Sequence, residues 1–189
     1  MKVYRVLPWN PKAAADEAGG VFYAPRSTAN RISNPDLYRE LYLAMPAEAS
    51  VAEALGDLAV WRLSTFRCPI DRLALATYEL KDDEPVVDLD DVTTLRNLGI
   101  ERPSRVVTPD RRTTQAWARR IYELPGVVGV RWWSHYNAEW TAFPVPRFRS
   151  AECFEGTPVA LDIASDEVAK GARAIVKQRI VQVLPSPLR

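Results

Sequence analysis

Histidine is all but missing from this chain: His135 is the only one. Cysteine is nearly as scarce, with Cys68 and Cys153 alone and no C-x-x-C pair. Zinc sites of the usual kinds need several His or Cys ligands at short spacing, so no metal is expected. Two isolated cysteines make no disulfide framework, which fits a reducing compartment. A Ser-His-acid triad could draw only on His135, directly after Ser134. Adjacent side chains on a strand point to opposite faces, so that pair is badly set for proton transfer. The G-x-S-x-G elbow, the Walker loop and the G-x-G-x-x-G fingerprint are absent as well, and Gly19-Gly20 alone is too weak a phosphate-loop signal.

Long apolar runs are also lacking. Nowhere do about 18 apolar residues follow one another, so no membrane span is expected. The opening MKVYRVLPWNPKAAADEAGG has no continuous apolar h-region, which argues against a signal peptide and for a cytoplasmic location. A formal net charge of +1 leaves no cationic surplus for neutralising phosphates, so direct nucleic-acid binding is not expected. The cations are nevertheless skewed, with 20 Arg against 5 Lys. Arginine's planar fork suits phosphates and carboxylates, although a genome rich in Arg, Ala and Pro codons gives the same skew.

What is present fits one ordinary globular unit. The 189 residues are 47% apolar and 26% charged, which predicts a single domain over 1–189 with a loose tail at about 184–189. Alternation or short apolar runs predict strands at 2–7, 21–24, 40–44, 72–80, 85–89, 127–133, 139–145, 158–163 and 179–183. Pro46 as a first helical residue predicts a helix over 46–58. Asp90 or Asp91 caps a short helix with Val92, Leu95 and Leu98, stopped at Gly99. Thr108-Pro109 starts another, carrying Trp117, Ile121 and Leu124 as a core stripe. Ser165 caps a last helix to about Val176. Residues 25–36 are polar and rich in turn formers, a connector of the kind that carries function when its ends are held. Strands outnumber helices and fall in hairpin-like pairs, which makes the class α+β.

Several charged groups have plain readings. Arg111, Arg112, Arg119 and Arg120 are assigned to the solvated face of their helix. Asp82, Asp83, Glu84, Asp88, Asp90 and Asp91 lack EF-hand spacing and are read as a solvated loop. Glu53 stands apart. On a helix over 46–58, Val51, Leu55 and Leu58 form the apolar stripe, and Glu53 falls on the far side among Pro46, Ala49 and Gly56. No basic residue lies three or four positions away to pair with it. Its small neighbours let another chain segment or a ligand come close. Arg31, Tyr42 and Glu53 fall within 23 residues, on a loop, a strand and the next helix. Such a set can hold an anion, stack an aromatic ring and stabilise a developing cation.

AGG at 18–20, NRISNP at 30–35, LYLAMPAEASVAEAL at 41–55 and GVRWWSHYN at 129–137 resemble the RES domain family, the toxin half of many bacterial toxin–antitoxin pairs. With the opening VYRV, the resemblance spans most of the chain. Where many relatives have glycine before the arginine and an aromatic residue after it, this chain has Asn30 and Ile32. The resemblance implies an ADP-ribosyltransferase-like fold, with central strands in hairpins flanked by short helices. It implies degradation of NAD⁺ as substrate, by hydrolysis or by phosphorolysis with inorganic phosphate as co-substrate. No permanently bound cofactor is implied, and the implied partner is a helix-turn-helix antitoxin of the Xre type. Carried over one by one, Glu53 would stabilise the oxocarbenium left when nicotinamide departs, and Arg31 would pair with the pyrophosphate. Tyr42 would sit beside the nicotinamide, and Ser134 would position Glu53 or the ribose. Trp133 would supply wall packing and Asn137 a polar contact. Protein ADP-ribosylation and non-catalytic nucleotide or partner binding are the other functions open to such a chain.

Overall fold

In the computed structural model, which describes residues 1–69, 71–81, 85–146 and 154–181, the alternating segments become strands and the capped ones helices. The strands are β1 (Lys2–Trp9), β2 (Leu41–Met45), β3 (Val60–Arg62), β4 (Arg72–Glu79), β5 (Val86–Asp88), β6 (Gly129–Trp133), β7 (Thr141–Val145), β8 (Phe154–Ala160) and β9 (Gln178–Ile180). The helices are α1 (Ala47–Leu55), α2 (Val92–Asn97), α3 (Arg111–Glu123) and α4 (Asp166–Ala174). Seven strands form one sheet in the order β5-β6-β7-β2-β1-β4-β8, parallel only between β5 and β6. β3 and β9 pair in parallel beside it. The class is α+β, as the sequence predicts. Among sheet neighbours, β6 and β7 form a hairpin joined by residues 134–140, whereas β1 and β2 lie side by side across the long polar connection.

Strand periodicity sorts the side chains between the two faces of the sheet. Val3, Leu41, Leu43, Tyr78 and Phe143 pack on one face. On the other, Val51 and Leu55 of α1 meet Val168 and Ala172 of α4 over Leu75. Farther along, Trp117 and Ile121 of α3 pack with Val130 and Trp132 of β6. The Trp117 and Trp132 rings meet edge to face at 5.8 Å and 79°. Complete burial of a large apolar side chain such as Trp132 contributes roughly 1.5–3 kcal/mol.

Several elements differ from the sequence reading, each for a visible reason. Residues 21–24 form no strand. The Val21 and Tyr23 carbonyls accept from the Arg5 guanidinium, and Val21 also accepts from the Tyr78 hydroxyl, so side chains replace a strand ladder. Pro46 is the N-cap of α1 and not its first residue, and Leu58 lies beyond the helix, 44% exposed. Asp110 caps α3 in place of Thr108, accepting from the Arg112 N–H. β8 begins at Phe154, earlier than alternation suggested, and β3 was not foreseen because three residues carry no period. Asp91 does cap α2, accepting from the Thr93 and Thr94 N–H groups. The acidic run is only partly a solvated loop: Asp88 pairs with Arg131 and Asp90 accepts from the Trp133 N–H. Asp82, Asp83, Glu84, the end of the 179–183 strand and the 184–189 tail lie outside the described residues. Among the described residues no helix is long and apolar enough to cross a membrane.

Candidate active site

Strand direction explains why residues far apart in sequence meet. β2 and β6 both run antiparallel to β7, so their C-terminal ends share one edge of the sheet. Thr141 of β7 is the register partner of both Met45 and Trp133. Ser134, one step beyond, therefore lies level with Pro46, where α1 begins. α1 then folds back and brings Glu53 to the same edge. Tyr42 and Ala44 alternate with the buried Leu41 and Leu43, which places them on the α1 side of the sheet. The β1–β2 ladder holds a single register pair, Tyr4 with Ala44. Past it, the Val6 N–H donates to the Ser50 hydroxyl of α1 at 3.0 Å.

This edge opens into a cavity of about 620 Å³ whose walls include Arg31, Tyr42, Glu53, Arg111, His135 and Tyr136. That volume lies within the ~300–1,000 Å³ of ordinary ligand sites. Ser134 stands behind the wall, 2% exposed, with its Oγ donating to Glu53 Oε1 at 2.6 Å. The Tyr136 N–H donates to the same Oγ at 3.1 Å, which fills its acceptor side and aims its proton at the carboxylate. Glu53 Oε2 has no hydrogen-bond partner among the described residues. Burial raises the Glu53 carboxyl above the usual range, against the lowering effects of the Ser134 bond and the Arg31 and His135 charges. Burial likewise lowers Arg31 and raises Tyr42 well above the ordinary phenol, so Tyr42 remains a neutral hydroxyl. Its ring meets Trp132 edge to face at 6.2 Å.

Arg31 is held by a loop that is tied at many points. Ile32 is 1% exposed and packs with Val106 and Trp117, so the next residue back, Arg31, faces the cavity. Glu40, 7% exposed, accepts from Ser33 Oγ at 2.6 Å and from Asn30 Nδ2 at 3.1 Å. Asn34 Nδ2 donates to the Gln115 carbonyl of α3, and Gln115 Nε2 donates back to Thr28 and Asn30 carbonyls. Asn30 and Ile32, the two departures from the common family pattern, thus serve as a polar tie and an apolar anchor.

The structure unites Arg31, Tyr42, Glu53 and Ser134 around this one cavity. Trp133 and Asn137 are not in its walls. Trp133 packs toward the α3 core while its N–H bonds Asp90, and Asn137 caps a turn by accepting from the Glu139 N–H. Sequence reasoning missed Glu40, Tyr136 and Arg111. The Tyr136 ring covers Gly56, whose missing side chain leaves the space: a Cβ there would lie 2.3 Å from the ring. Arg111 is exposed, as its assignment to the solvated face of the helix expected, and it lines the cavity as well. A legible signal existed, because arginine in the first turn of a helix opposes the helix dipole. Among the described residues no group of three or more His, Cys, Asp or Glu is placed to hold a metal.

The RES domain family model matches residues 2–162, a span that contains all four converging residues. No curated protein matches the chain. Among solved structures, one similar chain comes from the M. tuberculosis MbcT–MbcA toxin–antitoxin complex. It aligns with a TM-score of 0.61 at 18% identity, over 93% of this chain and 89% of that one, a likeness of fold. With the family pattern covering most of its length and the fold, this chain belongs to the RES domain family.

Proposed function

We propose that this chain cleaves the bond between nicotinamide and ribose in NAD⁺, as the toxin of a toxin–antitoxin pair. The observation that carries the reading is the Ser134–Glu53 hydrogen bond of 2.6 Å behind a cavity shared with Arg31 and Tyr42. Breaking a glycosidic bond leaves positive charge on the sugar. Ser134 fixes one Glu53 oxygen, and the other faces that charge or a ribose hydroxyl. A carboxylate in place before the charge develops stabilises it without reorganisation. Arg31 takes a phosphate oxygen, and Tyr42 offers its ring or hydroxyl to the nicotinamide. The C1–N bond electrons leave with the nicotinamide, which departs as a neutral ring, so no strong general acid is needed. Water at the sugar carbon then gives ADP-ribose and a proton, and inorganic phosphate gives ADP-ribose 1″-phosphate. The family membership and the likeness to a toxin–antitoxin structure support the toxin role and a cognate antitoxin, which we take to be of the Xre helix-turn-helix type.

Free nicotinamide, followed in purified protein supplied with NAD⁺ with and without phosphate, tests the reading, and the second product identifies the acceptor. Glu53→Gln keeps the hydrogen bond from Ser134 but removes the charge, and is expected to slow release at least ~100-fold. Full activity in that variant would end the proposal.

A further inference from the structure

The cavity holds a second arginine that the mechanism above leaves unused. Arg111 opens α3, and its Nε donates to the Ala29 carbonyl of the polar loop at 2.9 Å. Arg31, on that loop, donates from Nη1 to the Thr108 carbonyl, just ahead of α3. Each arginine therefore ties down the segment that carries the other, and both side chains line the cavity. Like charges held in one cavity repel, and neither arginine is ion-paired to a carboxylate among the described residues. The nearby carboxylates are engaged elsewhere. Asp110 bonds Thr113, Asp57 bonds Tyr136, Glu40 bonds Ser33, and Glu53 bonds Ser134. The charge of Arg111 also acts on Arg31 and Tyr42, lowering the pKa of both, with burial the larger effect at each. Two cations in the wall of one cavity, neither closed into a direct ion pair, match a ligand with two linked anionic groups.

We propose that Arg111 is a substrate-binding residue that joins Arg31 in gripping a diphosphate, so that this site selects ligands by their number of linked phosphates. The inference deepens the NAD⁺-cleaving reading and rests on it for the identity of the substrate. Arg111→Gln retains an N–H able to reach the Ala29 carbonyl while removing the charge. Turnover would be compared on NAD⁺, nicotinamide mononucleotide and nicotinamide riboside, which carry two, one and no phosphates. The variant is expected to raise KM for NAD⁺ about 10- to 100-fold, the worth of a charge-assisted hydrogen bond, with kcat nearly unchanged. The effect should shrink on the mononucleotide and vanish on the riboside. A merely structural tether would instead depress all three alike, and that result overturns the proposal, as does an unchanged KM for NAD⁺.

Calorimetry with ADP-ribose, AMP and adenosine separates this proposal from the catalytic one. Arg111-dependent binding of ADP-ribose, in protein that releases no nicotinamide, supports the clamp and removes the cleavage reading. Equal affinity of wild type and variant for ADP-ribose removes the clamp. Inorganic phosphate displacing ADP-ribose at comparable concentration would reassign the pair to free phosphate and overturn the diphosphate assignment.

Discussion

Burial lifts the Glu53 carboxyl above the ordinary carboxylate range, so the folded state holds its proton more tightly than the unfolded chain does. A group raised in this way contributes stability below its unfolded pKa of ~4.3 and loses it as pH rises through the folded value. Above its raised folded value the ionised Glu53 burdens the fold, and Glu53→Gln removes that burden while keeping the acceptor for Ser134. The variant is expected to melt a few degrees higher than wild type at pH 7, since ~1 kcal/mol shifts a domain of this size by ~2–4 °C. The difference should disappear below about pH 4. Melting curves across pH check it, and a variant less stable at pH 7 would contradict the sign. Arg111 is the complementary case. It keeps the exposed position that sequence assigned to it, and the path of the 25–36 loop across the start of α3 makes that position part of the cavity wall.

At the scale of elements, the site depends on close approach. α1 ends at Gly56, against which the Tyr136 ring lies, and the same ring sends its hydroxyl to Asp57 at 3.1 Å. Gly56→Ala would place a methyl 2.3 Å from that ring and 2.4 Å from its oxygen, so Tyr136 must move. Overpacking of this kind costs about 1–3 kcal/mol. Because the Tyr136 N–H orients Ser134, the shift also reaches Glu53. Both a lower denaturation midpoint in urea and a roughly tenfold fall in turnover are expected. Normal turnover alongside lost stability would separate the ring from the Ser134 hydroxyl. The small residues around Glu53 were legible as room for a neighbour. That the neighbour is Tyr136, over 80 residues away, was not, because nothing local in either segment refers to the other.

At the scale of the whole molecule, one cavity wall brings together the raised Glu53 carboxyl and the Arg31 and Arg111 guanidiniums. If ionised Glu53 carries the reaction, activity falls toward acid with a midpoint above the ordinary carboxylate value, since protonation removes the stabilising charge. Removing the Ser134 bond, which lowers the Glu53 pKa, should move that midpoint upward in Ser134→Ala. A pH–rate profile of both proteins checks the shift, and a midpoint moving toward acid would refute it. The strands with clear alternation, β1 and β4, and an aspartate cap for α2 at 90 or 91, which the structure assigns to Asp91, follow from sequence because their causes lie within a few residues. The α+β class follows from the same local patterns. The union of Arg31, Tyr42, Glu53 and Ser134 was expected only through family likeness. The tertiary structure alone decided the shared direction of β2 and β6, the stitching of the loop to α3 and the exclusion of Trp133 and Asn137. The reason is physical: local propensity sets periodicity and caps, whereas strand order and register arise from burying both sheet faces at once, which no single segment encodes.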